Sequence, residues 1–139
     1  MKKKIIIFCH KGYICSHLLK VLKKKKLSIV GLTIPRPKKF DDFDNFYIKY
    51  INKILLNYSN IYCIINCSGS INCSTKKDFF FNSKFDLIFQ KIVLKKKLRL
   101  KYLILNSTKV FTNCLDNYSL SKKELDRKII LKKNFYSLY

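Results

Sequence analysis

At 139 residues and 48% hydrophobic content the chain is long and apolar enough for one domain with a real core, and wholesale disorder is excluded. Its formal charge of +22 at pH 7 is the kind of excess that attracts nucleic acid or an anionic surface when it is clustered. Here the excess is almost all lysine, in short runs at 2–4, 23–26 and 95–97, with Arg36, Arg99 and Arg127 as the arginines and no alanine. AT-rich coding gives that pattern, so part of the charge is background, and a basic nucleic-acid-binding protein is the third reading of the chain. Residues 4–9 (KIIIFC) predict a buried strand. Residues 14–25 place Ile14, Leu18, Val21 and Leu22 at i, i+4, i+7 and i+8, one face of an amphipathic helix. Residues 27–33 predict the second strand, and Pro35 and Pro37 force a loop after it. A helix is expected over 41–58, with Asp41, Asp42 and Asp44 at its positive end. Residues 61–66 (IYCIIN) predict the third strand and 67–77 a polar loop. Phe81, Phe85, Ile88, Phe89 and Ile92 have helical spacing within 78–97, residues 100–106 predict the fourth strand, and a last helix covers about 118–133.

Strands alternating with helices predict an α/β fold, a doubly wound parallel sheet with ligands bound beyond the carboxyl ends of its strands. No run approaches the ~20 apolar residues of a membrane span. The apolar stretch after Met1 to Lys4 stops too early, at His10 and Lys11, for a signal peptide, and a cytoplasmic location is expected. Six cysteines without a CxxC pair read as reduced thiols, with no metal site expected.

Chemistry is expected first at the turn after the first strand, because a helix N-terminus offers free N–H groups to a pyrophosphate. That turn reads Phe8-Cys9-His10-Lys11-Gly12-Tyr13-Ile14-Cys15-Ser16-His17-Leu18. The second strand runs into Thr33-Ile34-Pro35-Arg36-Pro37, without the acid that meets an adenosine ribose. If a dinucleotide binds, Arg36 and Lys38 suit a 2′-phosphate, which favours NADP over NAD. The third strand runs into Asn66-Cys67-Ser68-Gly69, Asn82 follows on the next helix, the fourth strand leads to Asn106-Ser107-Thr108-Lys109-Val110-Phe111, and then comes Tyr118-Ser119-Leu120-Ser121-Lys122.

In this order the segments resemble the extended short-chain dehydrogenases/reductases of the sugar-nucleotide epimerase, dehydratase and reductase type. The first is similar to the T-G-x-x-G-F-I-G-S-H-L opening, the third to Asn-Ala-Ala-Gly, the fourth to Ser-Ser/Thr-x-x-Val-Tyr, and the last is a Tyr-x-x-x-Lys motif. The resemblance implies a Rossmann-type NAD(P)-binding domain over 1–139. Gly12, Tyr13, Ile14, Asn66, Gly69, Asn82 and Lys122 would hold NAD or NADP, joined by Arg36. It implies Ser107, Tyr118 and Lys122 as the catalytic set acting on a nucleotide-linked sugar. A phenol ionises near pH ~10, so a neighbouring ammonium is needed to favour the phenolate as a general base. Helices 78–97 and 118–133 would pair in a homodimer.

Several features depart from the pattern. Cys9 and Cys15 stand where the first and third glycines belong. No further strand is evident between the second and third. Only 10 residues separate Ser107 from Tyr118, and 17 follow Lys122. The chain is therefore expected to be truncated, lacking the C-terminal substrate domain, with 135–139 at most the beginning of a sixth strand. Ser121-x-x-Glu124 also matches a capping box, which would start the helix after Tyr118. The alternative reading is a non-catalytic or decayed Rossmann module that no longer turns over substrate.

Overall fold

Short β-branched and aromatic runs form five strands, β1 Lys4–Phe8, β2 Ser28–Leu32, β3 Ile61–Asn66, β4 Lys101–Leu105 and β5 Phe135–Leu138. Between them lie α1 Tyr13–Lys24, α2 Phe43–Asn57, α3 Lys76–Lys95 and α4 Asn117–Lys128. This computed structural model describes residues 3–9, 11–25, 27–38, 42–69, 72–129 and 134–139. Every strand pairing is parallel, in the order β2-β1-β3-β4-β5. The order reverses at β1, which places the ligand crevice at the carboxyl ends of β1 and β3.

Alternate residues of each strand serve the two faces of the sheet. Ile6, Phe8, Ile64, Tyr102 and Ile104 pack with the buried faces of α2, α3 and α4. Ile5, Ile7, Cys63 and Ile65 pack against α1. The larger core is aromatic: Phe8 meets Phe85 edge-on at 5.1 Å, Tyr47 meets Phe85 at 5.3 Å, and Phe89 stacks on Tyr102 at 4.5 Å. Such pairs contribute about 0.5–1.5 kcal/mol each beyond the area they bury.

The structure corrects three expectations. The buried face of α1 is Cys15, Leu18, Leu19 and Leu22, while Ile14 and Val21 are exposed, so the predicted stripe is rotated by one residue. The last helix ends at Lys128, where Ile129 turns to extended backbone, and residues 130–133 lie outside the described ones. Residues 135–138 make a full strand, with Tyr102 to Leu105 in register with Phe135 to Leu138. Phe135 anchors it, 3% exposed, with its ring near Tyr102. Between β2 and β3 the described residues supply α2 and no further strand, as expected. Among the described residues no helix is long and apolar enough to cross a membrane.

Candidate functional site at the carboxyl ends of the strands

The turn from β1 to α1 is tight. Gly12 N–H donates to Cys9 O at 2.9 Å, and a Cβ on Gly12 would lie 3.3 Å from that carbonyl. Gly12 caps α1 with extended backbone, so the first-turn N–H groups of α1 have no partners within their own helix. Tyr13 and Ile14 beside them are 82% and 60% exposed, open to a ligand lying across the helix end. No acid stands in the first turn of α1 to oppose an anion.

The two cysteines in glycine places behave differently. Cys9 has φ +61°, the left-handed region that glycine enters freely and a side chain does not. Cys15 sends its thiol into the layer between α1 and the sheet, where it donates to Phe8 O at 3.6 Å. It therefore fills helix–sheet space and leaves the crevice alone. Burial pushes the thiols of Cys9, Cys15 and Cys67 up, and Cys67 hydrogen-bonds Cys15.

Across the crevice, α4 begins at Asn117, with Asp116 as its cap: Asp116 Oδ1 accepts from Ser119 N–H at 2.9 Å and Oδ2 from the Ser119 hydroxyl at 2.7 Å. The Ser121 capping box is thereby overruled. Tyr118 is inside the helix, and Lys122, one turn on, puts its Nζ 6.0 Å from the Tyr118 ring centre. Lys122 is only 2% exposed. Gly69 closes the group from the β3 side. A Cβ there would meet Asn82 Oδ1 at 3.9 Å, Lys122 Nζ at 3.9 Å and Tyr118 Cε2 at 4.0 Å. Gly69 thus adds no side chain between the turn and the buried ammonium.

Asn82 Nδ2 donates to Ser121 Oγ at 3.2 Å, and Ser121 Oγ donates to Tyr118 O at 2.7 Å. This chain ties α3 to the turn of α4 that carries Tyr118. Asn66 is buried, with Oδ1 accepting from Ser68 N–H at 2.9 Å and Nδ2 donating to Asp86 at 2.6 Å. Its amide is committed to shaping the Cys67–Gly69 turn. Ser107 follows β4 by two residues, at the same end of the sheet, and its carbonyl closes the 3-10 turn Thr108–Phe111 by accepting from Val110 N–H at 3.1 Å. Arg36 stands apart from this group. Its guanidinium pairs with Asp78 Oδ1 at 2.7 Å and lies over the Phe81 ring at 4.6 Å.

Sequence reasoning missed Asp78, Asp86 and Asp116. Asp78 both completes a capping box with Thr75 at the start of α3 and pairs Arg36. The signal was an i, i+4 polar stripe, Asp78, Asn82, Asp86 and Gln90, beside the phenylalanine stripe of α3. All four residues are buried. A cleft of about 530 Å³ opens next to Tyr118, lined also by Asn72, Ser74, Leu115, Asp116 and Asn117.

No family model matches the sequence, and no curated protein is detectably similar to it. Solved structures are. A dTDP-4-dehydrorhamnose reductase from Bacillus anthracis, in complex with NADP, superposes with a TM-score of 0.70 over 99% of this chain and 52% of its own, at 14% identity. The chain shares its Rossmann-type α/β fold with about half of that reductase. Other structures with this fold agree. A UDP-rhamnose synthase from Acanthamoeba polyphaga mimivirus gives a TM-score of 0.63 over 91% of this chain and 51% of its own, at 18% identity. A dTDP-glucose 4,6-dehydratase from Bacillus anthracis, in complex with NAD, gives 0.67 over 90% and 48%, at 12% identity. The chain spans about half the length of each of them.

Proposed function

We propose that the chain is the dinucleotide-binding part of an NAD(P)-dependent oxidoreductase, epimerase or dehydratase acting on a nucleotide-linked sugar. The observation that carries this reading is the meeting of Gly69, Asn82, Tyr118 and Lys122 at the carboxyl end of the sheet. The α1 N-terminus at Gly12 suits the pyrophosphate, with Tyr13 and Ile14 against it. Lys122 would hydrogen-bond the nicotinamide ribose on the side of Gly69, where no Cβ stands between the turn and its ammonium. When bound, the nicotinamide supplies or accepts the hydride. Tyr118 gives or takes the matching proton at the sugar oxygen, Ser107 orients that oxygen, and the Lys122 ammonium favours the charged form of the phenol during transfer.

The amides, hydroxyl and carboxylate around the cleft beside Tyr118 suit the hydroxyls of a sugar ring. NADP is favoured over NAD through Arg36 and Lys38, although Asp78 offsets part of the Arg36 charge. The test is mixing the chain with NAD or NADP and a nucleotide sugar such as UDP-glucose, reading net oxidation from nicotinamide absorbance and redox-neutral epimerisation or dehydration from the sugar product by chromatography. Turnover in the parent chain and none in Tyr118→Phe is expected. Equal turnover in both would overturn the role of Tyr118. A module that binds the dinucleotide without turnover is the second reading, favoured by the side chain of Cys9 in the left-handed turn where glycine belongs.

A further inference from the structure

A buried carboxylate that the proposed chemistry does not use lies between α3, β3 and β4. Asp86 is 2% exposed. Its Oδ1 accepts from Asn66 Nδ2 at 2.6 Å and from the Tyr102 hydroxyl at 2.5 Å. Through Asn66, whose own Oδ1 holds Ser68 N–H, it is linked to the turn that carries Gly69. The Lys122 ammonium lies against the same turn, 3.9 Å from where a Gly69 Cβ would stand, and is equally buried. Asp86 is the strongest charge acting on it. The two do not touch as a contact ion pair among the described residues, so the attraction acts across buried space, where water screens it poorly.

We propose that Asp86 is a positioning residue for Lys122, a carboxylate clamped by Asn66 and Tyr102 that fixes the ammonium against Gly69, where the dinucleotide ribose would meet it. The proposal rests on the cofactor reading above and adds to it a residue outside the Ser, Tyr and Lys set. An isolated buried ammonium or carboxylate is costly, and each offsets the other only while both are present. Burial pulls Lys122 below the usual lysine range, and Asp86 pushes it back. Burial pushes Asp86 up, and Tyr102, Lys122 and Asn66 draw it down again.

The groups facing the pair are Tyr102 from β4, Tyr47 from α2, Cys9 from the β1–α1 turn and Tyr118 from α4 itself. Burial pushes Tyr102, Tyr47 and Cys9 up, so they stay neutral near pH 7. Asp86 is then the carboxylate whose charge opposes the effect of burial on Lys122. Asp86→Asn retains an oxygen to accept both hydrogen bonds and removes the charge, at the cost of an NH2 donor in place of the second oxygen.

The test uses the full chain as Asp86→Asn, Lys122→Met and the double variant. The first readout is the urea midpoint, which needs no cofactor. Each single change should lower it, and the double variant should unfold at a higher midpoint than either, because neither charge is left alone. Loss of folding in Asp86→Asn with recovery in the double variant counts the same way. Additive midpoints, or no recovery, overturn the proposal. The second readout is NADPH affinity from about pH 7 to about pH 9.5. It should begin to fall at a lower pH in Asp86→Asn than in the parent chain, by roughly tenfold per pH unit once Lys122 deprotonates. A loss of equal size at every pH indicates structural damage only and overturns the positioning role. Coupled midpoints in a parent chain that does not bind NADPH would sink the cofactor reading and leave the charge pair standing.

Discussion

Cys9 holds φ at +61° because the turn from β1 to α1 must fold back within three residues so that Gly12 N–H can reach Cys9 O. A side chain in that conformation costs of order 1–2 kcal/mol, of which the extra freedom of an unfolded glycine takes back part. Cys9→Gly should therefore raise stability by about 0.5–1 kcal/mol, read as a higher urea midpoint, and should tighten NADPH binding. A lower midpoint would mean that the thiol contributes packing worth more than the backbone strain. Cys63 makes the opposite case. Burial pushes its thiol up to about 11, so near pH 8 it stays protonated, and the thiolate is the reactive form. Alkylation of the folded chain at that pH, followed by mass spectrometry, should leave Cys63 unmodified and label it only in urea. Labelling of Cys63 as fast in the folded as in the unfolded chain would contradict its place in the α1 layer.

At the scale of elements, the caps decide where the functional side chains start. Asp116 fixes the first turn of α4 and with it the height of Tyr118. Asp116→Ala should cost about 1 kcal/mol in chemical unfolding and lower turnover with less effect on NADPH affinity, since the next turn of α4 is tied to α3 through Ser121 and Asn82. Unchanged turnover would separate the cap from the site. The capping box of Thr75 with Asp78 fixes the start of α3 in the same way, and Thr75→Ala should cost a similar amount. Strands and helices were legible in the sequence because β-branched runs and 3.6-residue stripes differ in period. The face of α1 was not. Ile14 and Val21 are as apolar as Cys15 and Leu19, and period alone cannot choose between adjacent stripes when cysteine is weighed as a lost glycine and not as a core side chain. Gly69, Asn82, Tyr118 and Lys122 were legible through the order of their segments. Asp86 was not, because its partners stand 16 and 20 residues away and only the folded sheet brings them together.

At the scale of the whole molecule, α1 on one face of the sheet and α2, α3 and α4 on the other position a crevice at the β1–β3 reversal. β5 is integral to that architecture. Phe135 is 3% exposed and packs near Tyr102, the residue that clamps Asp86. Phe135→Ala should cost about 3–5 kcal/mol, and a loss under about 1 kcal/mol would show that β5 is an appendage. The proposed function stands or falls on whether this crevice holds a nicotinamide dinucleotide through Lys122. Calorimetric titration of the full chain with NADPH and NADH, in parallel with Lys122→Ala, tests it most directly. Saturable one-to-one binding is expected, tighter for NADPH, and weaker by roughly ten- to hundredfold in Lys122→Ala, as follows from losing hydrogen bonds from a charged donor. Absence of binding at millimolar cofactor, or equal affinity in the variant, would contradict it.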